Sequence, residues 1–185
     1  AALTLCISSP ATALIAALGG APDVGGNWSG PSPVVGGLFN PANMNPGNYT
    51  YTVNGTAPCP AASAVVAVSV VAAPNAGTPG SIALCSTDAA VSLFAQLGGT
   101  PDAGGTWSGP SPVNAGLFDP ATMGAGVYTY TIAVPPPCIN ATSTVTVNVQ
   151  APPHAGADAA LTLCISSPAT ALIAALGGTP DVGGK

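Results

Sequence analysis

The sequence predicts an all-β protein composed of tandem antiparallel β-sandwich repeats with a 79-residue period. Three observations predict this class. The chain is internally repetitive, its apolar segments are short and alternate with polar residues, and 24 Gly and 21 Pro residues supply turns between them. Short strands, frequent turns and no long helical pattern are typical of two packed sheets.

Self-comparison establishes the repeat. The two kinds of cysteine recur at intervals of 79 residues: Cys6, Cys85 and Cys164, and Cys59 and Cys138. Residues 1–79 align with residues 80–158 without a gap and are identical at 40 of 79 positions. Residues 159–185 match residues 1–27 at 25 of 27 positions. A fixed period of this kind marks an array of domains.

The alignment predicts three domains and two linkers. They are repeat 1 (1–73), a linker (74–80), repeat 2 (81–151), a linker (152–158) and the start of a truncated third repeat (159–185). The third repeat stops before its Trp, so we expect the parent chain to run past both ends. It resembles repeat 1 more than repeat 2, which predicts that two repeat types alternate.

Each repeat begins with a short apolar strand, residues 3–7 or 82–85. The next segment, residues 92–97 in repeat 2, fits either a strand or one helical turn, because periodicity cannot decide for so short a run. Gly, Pro and Asp then crowd the loop at residues 19–26, which predicts consecutive turns.

The clearest strand lies at residues 49–53 and again at 128–132, where large apolar residues alternate with Thr. The last strand, 144–149, alternates Val facing inward with Thr or Asn facing outward. The strands at residues 49–53 and 128–132 begin within a Gly-x-Tyr-x-Tyr pattern, which is typical of the tyrosine corner of immunoglobulin-like folds. The repeats are therefore predicted to be immunoglobulin-like, joined by Pro-rich linkers that restrict bending.

Charged residues are too scarce for several classes of function. The chain has one Lys, no Arg and a formal net charge of -5, so it lacks the cations that neutralise nucleic-acid phosphates. The single His, His154, lies in a linker, where a satisfied or solvated polar role is expected, and no Ser, Cys and His form a triad pattern. We expect no enzyme activity and no cofactor. No apolar run approaches the 20 or so residues of a membrane span, so no membrane insertion is expected in this segment.

The cysteines are predicted to be disulfides. The simplest pairing is within repeats, Cys6 with Cys59 and Cys85 with Cys138, while Cys164 pairs outside this sequence; pairing between repeats is the alternative. A metal site is disfavoured because no CxxC pair accompanies them. A staple of this length stabilises by about 4 kcal/mol in the chain-entropy model. Disulfides also predict an oxidising, extracellular location.

Three sets of residues are candidate sites. Trp28 and Trp107 could be platforms that stack on sugars, or core residues at the sandwich edge. Asp23 and Asp102, in Pro-Asp-x-Gly-Gly, could bind calcium or simply form turns. The outward face of the last strand of repeat 1 is unusually apolar, which predicts packing against a neighbouring domain or chain, or tolerated surface residues. That face comprises Val65, Ala67, Ser69 and Val71.

Several motifs together resemble repeats in the giant surface proteins of Bacteroidetes, including adhesins associated with gliding motility. They are Leu-Gly-Gly-x-Pro-Asp-x-Gly-Gly-x-Trp-Ser, Gly-Leu-Phe-x-Pro, Gly-x-Tyr-Thr-Tyr-Thr and Pro-Cys. The resemblance implies export by the type IX route and display on the cell surface.

The sequence therefore predicts a structural or adhesive, non-catalytic repeat protein that forms a cell-surface stalk or filament. Its expected partners are copies of itself, neighbouring repeats and surface glycans. The alternative is a carbohydrate- or calcium-binding module of a surface adhesin.

Overall fold

The computed structural model describes residues 1–182 and contains two units with the same order of strands. The last three residues of the predicted third repeat lie outside the described residues. The strands of repeat 1 are β1 (Ala2–Cys6), β2 (Thr12–Ala13), β3 (Asn27–Ser29), β4 (Leu38–Phe39), β5 (Gly47–Val53) and β6 (Ala62–Val71). Those of repeat 2 are β7 (Gly80–Cys85), β8 (Val91–Ser92), β9 (Thr106–Ser108), β10 (Leu117–Phe118), β11 (Gly126–Ile132) and β12 (Ala141–Gln150).

Each unit has a four-stranded sheet facing a two-stranded one. The larger sheets have the orders β1-β6-β5-β3 and β7-β12-β11-β9, and the smaller ones pair β2 with β4 and β8 with β10. The all-β sandwich predicted from the sequence is confirmed. One pairing departs from a purely antiparallel arrangement, because the first strand of each unit lies parallel to the last. The rest of the unit provides the long connection that parallel pairing requires.

The strand patterns explain the two faces of the large sheet. In β12, Val145 and Val147 are buried whereas Thr144 and Thr146 are partly exposed, as the alternation predicts. The ambiguous segment in repeat 2 is a short strand followed by a 3-10 helix, Phe94–Gln96. Repeat 1 has the same feature at Leu14–Ala17. These turns bring Leu14 and Leu93 into the two cores, where both side chains are fully buried.

A buried tyrosine organises each core. Tyr49 packs edge-on against Phe39 at 5.4 Å between ring centroids and donates a hydrogen bond from its hydroxyl to the Asn45 carbonyl at 2.6 Å. Tyr128 makes the same contacts with Phe118 and with the Gly124 carbonyl. A buried Tyr whose hydroxyl bonds the backbone a few residues upstream is the tyrosine corner. Together with the strand order, it defines both units as immunoglobulin-like.

The third segment is incomplete as a sandwich. Residues 158–171 form no strand, since the equivalent of β6, on which β1 pairs in repeat 1, is not part of these 185 residues. A 3-10 helix, Leu172–Ala175, forms at the position equivalent to the one in repeat 1. Among residues 1–182, no helix has the length and hydropathy needed to cross a membrane.

Candidate functional site

The most elaborate cluster of contacts lies at the junction between repeats 1 and 2, and the end of β1 begins it. Cys6, the last residue of β1, is in register with Val71, the last residue of β6. Both strands therefore end where the chain leaves repeat 1 and enters the linker. Parallel pairing of β1 with β6 is thus what brings Cys6 to the junction.

A disulfide crosses this junction from Cys6 to Cys138, with 4.9 Å between the Cα atoms. The predicted pairings of Cys6 with Cys59 and of Cys85 with Cys138 are therefore wrong, although Cys6 and Cys138 are both bonded. The reason is distance. Cys59 precedes β6 and Cys6 lies beside its far end, and a strand of 10 residues spans about 30 Å. Disulfides need Cα atoms within about 7 Å.

The bonded sulfurs are enclosed by both repeats. Cys6 is 1% exposed and Cys138 is 8% exposed, and the Cys138 sulfur lies 3.4 Å from the carbonyl oxygen of Ala72, the residue after β6. Cys138 itself belongs to the loop between β11 and β12, which the Asn140 side chain braces by accepting from the Val134 N–H at 3.0 Å. The loop of repeat 2 therefore reaches back onto the end of repeat 1.

The other three cysteines are free thiols: Cys59, Cys85 and Cys164. Cys85 is the equivalent of Cys6 one period later, and Cys59 is the equivalent of Cys138 one period earlier. The Thr87 hydroxyl donates to the Cys85 sulfur at 3.1 Å. That hydrogen bond is the largest cause that lowers the pKa of the Cys85 thiol below its ordinary value.

The linker docks onto repeat 2 through a reciprocal pair of hydrogen bonds. The Asn75 N–H donates to the Asp102 carboxylate at 2.8 Å, and the Asp102 N–H donates to the Asn75 carbonyl at 2.7 Å. The Asn75 amide also donates to the Thr100 carbonyl at 2.9 Å. Next to it, Ala76 is 4% exposed and belongs to the core cluster of repeat 2. The linker therefore completes a hydrophobic core rather than bridging two finished domains.

The Pro-Asp-x-Gly-Gly loop is held ready for this docking. The Tyr130 hydroxyl donates to the Asp102 carbonyl at 2.8 Å and accepts from the Gly105 N–H at 2.8 Å. Tyr51 holds Asp23 and Gly26 in the same way in repeat 1. Because the Tyr130 hydroxyl holds the loop through its backbone, the Asp102 carboxylate is available to accept a hydrogen bond from the linker.

Close backbone approach explains one glycine of the linker. Gly77 has φ +80, and a Cβ there would lie 2.6 Å from the Gly98 carbonyl oxygen. The neighbouring Thr78 exchanges two backbone hydrogen bonds with Gly98. A side chain at position 77 would force these two segments apart, so Gly is required.

The second linker docks in the same way. The His154 N–H donates to the Asp181 carboxylate at 2.8 Å, and the Asp181 N–H donates to the His154 carbonyl at 2.8 Å. The His154 ring nitrogen Nδ1 lies 3.1 Å from the Thr179 carbonyl oxygen, as the Asn75 amide does in the first linker. His154 therefore takes the structural part of Asn75 and is not an isolated polar residue.

One of the two candidate calcium loops, that of Asp102, docks the linker. The Asp102 carboxylate accepts from the linker, and the described part of the chain contains no group of three or more His, Cys, Asp or Glu side chains able to hold a metal ion. Asp23 occupies the same position in repeat 1, and these 185 residues contain no counterpart of Asn75 that could dock on it. The two Asp residues are thus equivalent in sequence and different in contacts.

The two tryptophans are half-buried at matching positions. Trp28 lies 5.0 Å from Tyr51 between ring centroids, and Trp107 lies 5.1 Å from Tyr130, both with tilted rings. Each indole also borders an open cleft together with a Gly-rich loop. The rings are therefore neither fully in the core nor free platforms.

The apolar outward face of β6 is exposed to solvent in this structure. Val65 is 42% exposed and Val71 is 38% exposed, and Ala67 and Ser69 are exposed between them. Nothing within the described chain covers these four residues, so their predicted packing against a neighbour stays a prediction.

Sequence reasoning missed the residues that dock the linker, Asn75, Ala76 and Asp102. Asp102 was considered as a calcium ligand or a turn former and not as an acceptor for the linker, and the two linker residues were treated as spacers. One signal was present. Ala76 is identical to its equivalent Ala155, and an Asp follows both Asn75 and its equivalent His154 at the same interval of 27 residues.

No protein-family model matches the chain, and no curated protein matches it. Among solved structures it is similar to hemolin, an insect immune protein described with a new domain arrangement and implications for homophilic adhesion. The identity is 15% and the TM-score is 0.36, over 57% of this chain and 29% of that chain. The chain thus spans less than a third of hemolin's length. A likeness at this TM-score supports no inference, so the immunoglobulin-like assignment depends on strand order and the tyrosine corners.

Proposed function

We propose that this chain is a segment of an extracellular, non-catalytic filament or stalk on a cell surface, of the kind that its motifs resemble in Bacteroidetes. The single observation that carries the proposal is the disulfide from Cys6 to Cys138, which joins consecutive repeats. A covalent bond between consecutive repeats suits a rod under tension, because the bond resists separation of its units.

The junction combines three connections that limit bending. They are the linker backbone, the docking of Asn75 and Ala76 on repeat 2, and the disulfide. Interfaces between domains of one chain ordinarily permit relative motion. Two attachments on different sides of the linker remove most of that freedom, which suits a spacer that projects from a cell.

Electron microscopy of the native material, with antibodies raised against this chain, tests the function. The expected result is stiff labelled fibres at the cell surface. Labelled material that is soluble and monomeric, or confined within cells, would contradict the proposal. Export by the type IX route is part of the same proposal and predicts loss of surface label in cells that lack that route.

Lateral association is a separate element of the proposal. The four exposed residues on the outward face of β6 would pack against a neighbouring filament, because contact between apolar surface and water is unfavourable. Changing Val65 and Ala67 to Lys should separate bundled fibres into single ones without shortening them. Thr144 and Thr146 lie on the corresponding face of repeat 2, and the matched control changes these two residues to Lys. Bundling that survives the Val65 and Ala67 changes would contradict this element.

Glycan binding is the second candidate, and one observation favours it. The same cleft beside a half-exposed indole recurs in both repeats, lined in repeat 2 by Trp107, Phe94 and Val113. Sugar rings stack on such indoles, as aromatic platforms do for other ligands. Titration with surface polysaccharide, monitored by Trp fluorescence, should quench emission. Because Trp28 and Trp107 are the only two Trp residues of the chain, binding to the variant with Trp28→Ala and Trp107→Ala is measured by calorimetry, and we expect no binding. Unchanged fluorescence at saturating polysaccharide would remove this candidate.

A further inference from the structure

The two ends of this double repeat carry unoccupied halves of the junction already described. At one end lies the free thiol of Cys85, beside a cleft of about 320 Å³ lined by Leu84, Gln150 and Pro152 among others. Two of the equivalent positions in repeat 1 are Cys6, which is bonded to Cys138, and Ala72, whose carbonyl oxygen lies 3.4 Å from the Cys138 sulfur. The cleft is thus the place where the corresponding loop lies in the occupied junction.

At the other end lies a second open cleft, of about 410 Å³, lined by Leu18, Asp23, Tyr51 and Val53 among others. In repeat 2 the equivalent surface is filled by the linker, with Ala76 buried against it. The free thiol of Cys59 stands in the loop that borders this cleft, as Cys138 does in repeat 2. Each half therefore has an occupied counterpart within the same molecule.

We propose that Cys85 and Cys59 are attachment sites for further repeats of the same kind, so that every repeat is disulfide-bonded to the next. The first cysteine of one repeat would bond the second cysteine of the following repeat, at the separation of 132 residues that Cys6 and Cys138 have. Since the first linker also enters the core of repeat 2, the same arrangement at every junction would give a continuous series of staples along the array.

The bond requires an oxidant, and a small disulfide such as glutathione disulfide supplies it. The Cys85 thiolate attacks one sulfur of that disulfide and releases a thiolate, which takes up a proton. The thiolate of the partner cysteine then attacks the Cys85 sulfur and expels the second thiol. Two protein thiols lose two protons and two electrons, and one disulfide is reduced to two thiols. The Thr87 hydroxyl favours the first step because it stabilises the Cys85 thiolate.

The inference rests on the proposed array of repeats and names its covalent partner. A longer chain tests it directly. Residues 28–79 are appended after Lys185, which completes the third repeat and adds a second copy of Cys59. Digestion with pepsin at low pH, where thiols scarcely exchange, is followed by mass spectrometry without reduction.

We expect two linked peptides in the extended chain, Cys6 with Cys138 and Cys85 with the added copy of Cys59. Cys85→Ser should remove the second linked peptide completely, while Cys164→Ser leaves it unchanged. A bond between Cys164 and the added copy of Cys59 would overturn the proposal, and so would a free Cys85. Only molecules that contain the bond between Cys6 and Cys138 are scored, so misfolded chains do not enter the result.

The disulfide map and the microscopy can fail separately. A bond at Cys85 in material that forms no surface fibre would overturn the proposed function and leave the series of staples intact. Fibres whose cysteines pair within repeats would do the reverse.

Discussion

The first strands of repeats 1 and 2 end in the same two residues, Leu-Cys, but these residues lie in different surroundings. Leu5 is 8% exposed and Cys6 is 1% exposed, whereas Leu84 and Cys85 are only partly buried. The other end shows the same contrast, since Ser143 is 4% exposed and its equivalent Ala64 is exposed. These differences come from the neighbouring repeat and not from the repeat itself. A single repeat is therefore an incomplete folding unit, as in other arrays whose units bury surface on their neighbours.

The largest expected effect comes from removing the junction disulfide. Cys138→Ser should lower the free energy of unfolding by about 5 kcal/mol, because the bond closes a loop of 132 residues. Chemical denaturation in non-reducing buffer measures it. Cys59→Ser is the matched control and should change stability little. Equal losses from the two variants would mean that the pairing is within repeats.

A charge in the buried part of the linker should have the next largest effect. Ala76→Asp would bury an unpaired carboxylate in the core of repeat 2, which costs about 3 kcal/mol. Ala155→Asp makes the same change at the exposed equivalent in the second linker. Thermal unfolding should separate the two variants clearly. If both variants are as stable as the parent chain, the linker does not complete the core.

Loss of the carboxylate that receives the linker should have a smaller effect. Asp102→Ala removes the acceptor for the Asn75 N–H and should cost about 1 kcal/mol, since the pair is exposed to water. Asp23→Ala, at the equivalent position on which no residue of this chain docks, should cost less. Hydrogen exchange of the Asn75 amide gives a local check, and we expect it to become faster only in the Asp102 variant. Equal costs would show that the Asp acts within its own loop.

The smallest effect has the opposite sign. The Ser143 hydroxyl is buried at the junction without a hydrogen-bond partner, which is unfavourable. Ser143→Ala, the residue that repeat 1 has at position 64, should raise stability by up to about 1 kcal/mol. A lower melting temperature instead would mean that the hydroxyl has a partner, such as a bound water.

Much of the fold followed from the sequence because its signals are local. The alternation of Val145 and Val147 with Thr predicted which face is buried, and the tyrosines at 49 and 128 predicted the immunoglobulin-like corner. The disulfide could not be predicted in this way. Its partners depend on the direction of β1 relative to β6, and a short apolar strand has the same pattern whether it pairs parallel or antiparallel.

The docking of the linker was also beyond local reasoning. A Pro- and Gly-containing segment of small residues is typical of a spacer, and nothing in Asn75 or Ala76 distinguishes a docked linker from a free one. Asn75 and Ala76 dock only when the loop of Asp102, which the Tyr130 hydroxyl holds in place, lies opposite them. Contacts between repeats therefore cannot be predicted from the local sequence of one repeat.

The most direct test of the central claim is a disulfide map of the chain itself. The sequence has a single Lys and no Arg, so pepsin at low pH replaces trypsin, and linked peptides are identified without reduction. The account predicts one linked pair, Cys6 with Cys138, and free thiols at Cys59, Cys85 and Cys164. Linked peptides that join Cys6 to Cys59 and Cys85 to Cys138 would contradict it and return each repeat to an independently stapled domain.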